Sequence, residues 1–211
     1  MVRPDGRTPA AFHLRRSLAA LAEQTRQVDV LTIIVCGGDD RLFEIADAAG
    51  AASVVKAPAS TGFAAATALA PLQASDGEGG QEADSGSGAL WLLAQDTAPE
   101  PDALARLAGA LELSPSVAFV APKLVRWDDR SEIVSLGVSM TRFGRTVGLA
   151  DDELDQGQHD AQEDVLGADV RGILVRSDAW SRLGGLDRGL AGADEGLDLG
   201  VRARLAGGGG S

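Results

Sequence analysis

The chain has 211 residues, 45% of them hydrophobic and 24% charged, which suits one α/β domain, or two small ones, with a sizeable core. Its formal net charge of −12 repels phosphate at long range and argues against a nucleic-acid or anionic-membrane surface, though not against a local basic pocket. A single cysteine, Cys36, excludes an intrachain disulfide framework and fits a reducing compartment.

The pattern opens with a helix at about Ala11–Glu23, where Leu14, Leu18 and Leu21 share one face and Arg15 and Arg16 lie off it. DVLTIIVC (29–36) is a continuous β-branched run, as carried by a strand buried on both faces. It ends in GGDD, after which RLFEIADAAG predicts a short helix closed by Gly50. SVVKA (53–57) predicts a second strand, and STGFAAATALAPL a helix with Ser60 or Thr61 as its N-cap. Residues 73–88, QASDGEGGQEADSGSG, contain no large apolar side chain and predict a mobile surface loop, because burial there cannot offset the entropy of ordering.

ALWLLA (89–94) predicts a third buried strand. PDALARLAGALEL predicts a helix with Pro101 in its first turn and Leu104, Leu107 and Leu111 on one face, and SVAFVAP (116–122) a fourth strand. Alternation of strand and helix implies right-handed crossovers and parallel pairing in this half. The second half differs: SEIVSLGVSM and VLGADVRGILVR predict strands with no helix between them, followed by a helix at about Ser177–Leu183 and a GGLD turn. The expected fold is α/β, a mixed and mainly parallel sheet flanked by helices, in a single domain over residues 1–206. Gly207–Ser211, GGGGS, reads as a linker or truncation scar outside the fold. No window reaches the roughly 18–20 apolar residues of a membrane span, and the N-terminus lacks the apolar core of a signal peptide. The expectation is a cytoplasmic chain, or the cytoplasmic head of a longer membrane-associated protein.

The chain holds no GxGxxG opening a helix, no GxxxxGK[ST], and no CxxC, HExxH or GxSxG. Dehydrogenase, P-loop, zinc-hydrolase and serine-nucleophile chemistry fall away. Position remains: open α/β sheets bind ligands outside the carboxyl ends of their strands. Cys36-Gly37-Gly38-Asp39-Asp40, Gln95-Asp96-Thr97 and Pro122-Lys123 emerge there. Carboxylates at such an edge suit a hard divalent cation that bridges nucleotide phosphates. Asp96 reads equally as a loop residue capping the helix that follows. His159, in DQGQHD, reads as a turn residue or a ligand contact, and Arg171 and Arg176 as diphosphate partners or surface ion pairs.

RRSLAALAEQT, VVKAPASTGFAAA, WLLAQDTAPEPDALARL, SVAFVAPKLVRWDD, DQGQHD, GILVRSDAWSRLGGLD and GLDLGVRARLAG follow one another from about Ala11 to Gly207. In this order they resemble the family 2 glycosyltransferases of the GT-A type, near the actinobacterial rhamnosyl- and galactofuranosyltransferase-like members. The resemblance implies a nucleotide-diphospho-sugar transferase fold. It further implies inverting transfer, with Mg²⁺ or Mn²⁺, from a dTDP- or UDP-linked donor to a cell-envelope glycan or lipid-linked acceptor. Carried onto this chain, it assigns Cys36, Gly37, Gly38, Asp39, Gly62 and Gln95 to the nucleotide and Asp96 to the metal. It assigns Glu195, with Asp194 and Asp198, to catalysis.

The family's pattern is eroded at three places. Cys36 stands where an Asp usually contacts the base, Ala94 replaces the first metal Asp, and Gly196 replaces the acidic residue that usually serves as the base. Two functions follow as expectations. One is an active glycosyltransferase with Glu195 as the remaining base; the other is a catalytically silent glycosyltransferase-like domain acting as a glycan-binding or scaffolding module. No nucleic-acid partner is expected, and the oligomeric state stays open.

Overall fold

The computed structural model describes residues 10–38, 40–71, 88–150, 153–158, 164–192, 194–207 and 209–210. Asp39, His159 and the predicted loop up to residue 87 lie outside the described residues.

Helix α1 (Ala10–Ala22) turns Ala11 and Leu14 inward. Strand β1 (Thr32–Cys36) pairs in parallel with β2 (Ser53–Ala57), and α2 (Asp40–Ala48) makes the crossover. Both faces of β1 are covered, as its apolar run predicts. Ile33 and Val35 pack with Leu14, Leu42 and Ile45, while Cys36 packs with Ala57 and Ala66. Helix α3 (Phe63–Thr67) is shorter than its pattern suggests, and Gly62 stands at its N-cap in place of Ser60 or Thr61.

After β3 (Ala89–Trp91) come α4 (Ala103–Leu113), β4 (Val117–Val120), β5 (Leu124–Val125), β6 (Ile133–Ser135), β7 (Val138–Met140), β8 (Thr146–Gly148) and β9 (Leu174–Arg176). Helices α5 (Ser177–Leu183) and α6 (Glu195–Leu205) and strand β10 (Gly209–Gly210) complete the order. The largest sheet runs β10–β4–β9–β3. Strand β9 lies between β4 and β3, antiparallel to both, and β10 is parallel to β4. Among the described residues the named ladders are two parallel (β1–β2, β10–β4) and four antiparallel. The sheets are mixed, and parallel pairing does not dominate them.

Two expectations change. Of the predicted strand at 165–176 only Leu174–Arg176 joins the sheet; the rest makes single bridges at Val165 and Gly167. The glycine tail does not stand wholly outside the fold, because Gly209 and Gly210 pair with β4 and a Cβ at 210 would overlap the Phe119 ring. The main core lies under this sheet, where Phe119, Ile173, Val175 and Leu199 are completely buried with Trp180 and Ala203 beside them.

Candidate functional site

A cavity of about 570 Å³ opens where the loop after β3, the start of α3, the segment before β9 and the start of α6 converge. Its volume is ordinary for a small-molecule site. Four carboxylates line it (Asp96, Asp169, Asp194 and Glu195), and Arg171 is its one cation among the described residues.

The loop after β3 is pinned from two sides. Thr97 Oγ1 donates to the Ala94 carbonyl at 2.6 Å, and Ser17 Oγ of α1 lies 2.8 Å from the Gln95 carbonyl and 2.6 Å from that of Thr97. Asp96 is left half exposed at the cavity rim, 3.5 Å from Arg171 Nη1. It does not cap α4. Asp102 holds the N-cap position, and the Leu104 amide donates instead to the buried Gln24 Oε1 at 3.0 Å. Arg171 Nε donates to both oxygens of Asp169 at 2.9 Å, and Nη2 donates to the same carboxylate. This bond to Asp169 is the main reason the guanidinium pKa is raised further, with Asp96 contributing less.

At the start of α6, Asp194 adopts a left-handed conformation (φ 54°) and its side chain does not cap the helix. It accepts from Thr146 Oγ1 of β8 at 2.7 Å instead. Ala191 in the same loop is also left-handed (φ 51°). Such conformations cost about 1–3 kcal/mol each in non-glycine residues and collect at functional loops. Glu195 is 4% exposed. Burial pushes its carboxyl above the usual range, against the opposing backbone hydrogen bonds of Ala64 and Gly192. Its Oε1 is buried with no hydrogen-bond partner among the described residues.

The cavity gathers Gly62, Ala94, Gln95, Asp96, Arg171, Asp194, Glu195 and Gly196 of the residues singled out in the sequence. Others stand apart. Cys36 is buried behind β1. Gly37 (φ 72°) and Gly38 (φ 101°) form a left-handed turn tight against Ala59 and Leu42 and do not line the cavity. Asp198 pairs with Arg202 at 2.6 Å, and Arg202 donates on to the Leu183 and Gly185 carbonyls, tying α6 to the end of α5. Arg176 donates to the carbonyls of Val117 and Ser114 and to that of Leu111, closing the C-terminal end of α4. Asp169 was missed in the sequence. The two-residue spacing of Asp169 and Arg171 in an extended stretch places them on one side, and it was the available signal.

The divalent ion implied by the resemblance finds no fitting donor set among the described residues. Residue 94 is Ala, Asp96 and Asp169 both face Arg171, and the described residues hold no group of three or more His, Cys, Asp or Glu able to take a metal. Position 196 offers no space either, because a Cβ there would overlap the Ala168 carbonyl oxygen.

The family model described as "Glycosyltransferase like family 2" matches residues 8–209, nearly the whole chain. The chain belongs to glycosyltransferase-like family 2. No curated protein matched it. Membership implies the GT-A nucleotide-sugar transferase fold and binding of a nucleotide-sugar donor and an acceptor. In this family 2 chain, no helix among the described residues is long and apolar enough to cross a membrane.

Proposed function

We propose that this family 2 chain is a glycosyltransferase whose cavity seats the donor sugar and the acceptor hydroxyl against Glu195. The observation that carries this is the Glu195 carboxylate, buried at the cavity wall with one unpartnered oxygen. A carboxyl pKa raised by burial suits a general base, because a stronger base takes a hydroxyl proton more readily near neutral pH. The acceptor oxygen attacks the anomeric carbon, its proton passes to Glu195, and the bond to the diphosphate breaks. The nucleoside diphosphate then leaves with that electron pair. Arg171 is the cavity cation that would meet the diphosphate, its 3.5 Å contact with Asp96 being the looser of its two. The donor class we favour is dTDP-rhamnose or UDP-galactofuranose, with a cell-envelope glycan or lipid-linked acceptor, on the sequence resemblance.

A second reading has its own observation. Four carboxylates against one guanidinium give a diphosphate poor compensation, and the crowded Gly196 cannot be replaced by a base without movement. Both features suit a domain that holds an uncharged glycan without turning it over.

The test is transfer or hydrolysis with UDP-, dTDP- and GDP-sugars, comparing wild type with Glu195→Gln. Loss of a general base is expected to lower the rate by roughly 10²–10⁴. No turnover by folded wild type, together with binding of neutral oligosaccharides and not of nucleotides, would establish the second reading.

A further inference from the structure

We propose that the β7–β8 hairpin docks this chain onto an anionic lipid bilayer. Met140 pairs with Thr146, leaving Thr141–Arg145 (TRFGR) as the turn. The turn is built rather than loose: the Thr141 amide donates to the Arg145 carbonyl at 2.9 Å, and the Arg145 amide donates to Thr141 Oγ1 at 3.2 Å. At its tip Phe143 is 78% exposed, with Met140 and Val147 also exposed on the same hairpin. Arg142 lies over the Phe143 ring, and Arg145 is two residues further on.

Neither arginine forms an ion pair among the described residues, whereas Arg126, Arg171, Arg182, Arg202 and Arg204 each hold a carboxylate. In a chain of net charge −12, the turn sets two guanidiniums that hold no carboxylate among the described residues beside an exposed aromatic ring. An aromatic ring that seeks a non-aqueous phase and cations that seek phosphate beside it are both satisfied at the headgroup level of an anionic bilayer. The overall negative charge does not prevent this, because its field is screened within about 8 Å at physiological salt while the arginines act at contact.

The hairpin also leads to the site. Thr146, next after the turn, lines the cavity and donates to Asp194. Docking therefore sets the cavity beside the lipid surface, where a membrane-borne acceptor would stand. This goes beyond the proposed transfer reaction and does not depend on it.

Sedimentation of the full chain with vesicles of equimolar phosphatidylglycerol and phosphatidylcholine, against phosphatidylcholine alone, tests the proposal. Binding is expected to the anionic vesicles and to weaken with salt. Phe143→Ala and the pair Arg142→Gln/Arg145→Gln are each expected to lower partitioning on the order of tenfold, while Arg188→Gln leaves it unchanged. Absence of binding, equal binding to both vesicles, or full binding by the hairpin variants would overturn it and leave a protein partner as the occupant. Turnover on a soluble acceptor is expected to be unaffected by these variants, so this proposal and the catalytic one fail separately.

Discussion

Glu195 is the residue on which chemistry and stability meet. Its carboxyl is raised by burial, so the folded state holds the proton more tightly than the unfolded chain, whose glutamates titrate near about 4.3. The favourable contribution is therefore present in acid and is lost as pH rises from that value through the folded pKa. Glu195→Gln removes the titration. Its melting temperature relative to wild type is expected to rise between acid and neutral pH, and a pH-independent difference in calorimetric scans would reject the assignment. Arg171 sets a second expectation. Because it already faces Asp96 and Asp169, wild type should bind Mn²⁺ no better than weakly. Arg171→Gln, relieved of one like charge, should bind it about tenfold more tightly. Micromolar Mn²⁺ affinity in the wild type, read by titration calorimetry, would contradict this.

Among the elements, α6 owes its position to its glycines. A Cβ at Gly196 would overlap the Ala168 carbonyl oxygen, one at Gly200 the Leu166 carbonyl oxygen, and Gly167 faces the helix from the other side. The helix thus lies directly on the backbone of 166–168, which carries Glu195 into the cavity wall and explains why that stretch leaves the sheet. Gly200→Ala raises helix propensity by up to about 1 kcal/mol but must push the helix away. Net destabilisation of about 1–3 kcal/mol is expected, read from denaturant midpoints. A more stable variant would mean that the contact is not tight. Asp194 shows the same dependence on neighbours, since its side chain leaves the N-cap role to reach Thr146 on β8.

For the whole molecule, a net charge of −12 is the dominant long-range term. Self-repulsion of this kind destabilises the compact state and is relieved by screening. The melting temperature is expected to rise between low and physiological salt, and a fall would mean that the specific ion pairs outweigh the net charge. The same chain presents two arginines at the β7–β8 turn and four carboxylates at the cavity. Local charge thus differs from place to place, and the net value alone does not describe which partners it meets.

Several elements were legible from local periodicity. The second strand at 53–57 and the helix at 177–183 match β2 and α5, the leucine stripe of α4 faces the core, and Asp96 and Glu195 both reach one cavity. Neighbours in sequence decide such features: strand alternation, helical spacing and the capping glycines act within a few residues. Other features required the fold. The contact of Arg171 with Asp96 spans 75 residues, that of Thr146 with Asp194 spans 48, and the Gln24 amide that caps α4 reaches across 80. The same holds for the crowding of Gly196 against Ala168 and for the shortening of the 165–176 strand. Sequence alone determined the family, most of the helices and strands, and which loops carry acidic groups. Tertiary structure decided how those groups are paired, because pairing and close packing depend on distances that no local pattern encodes.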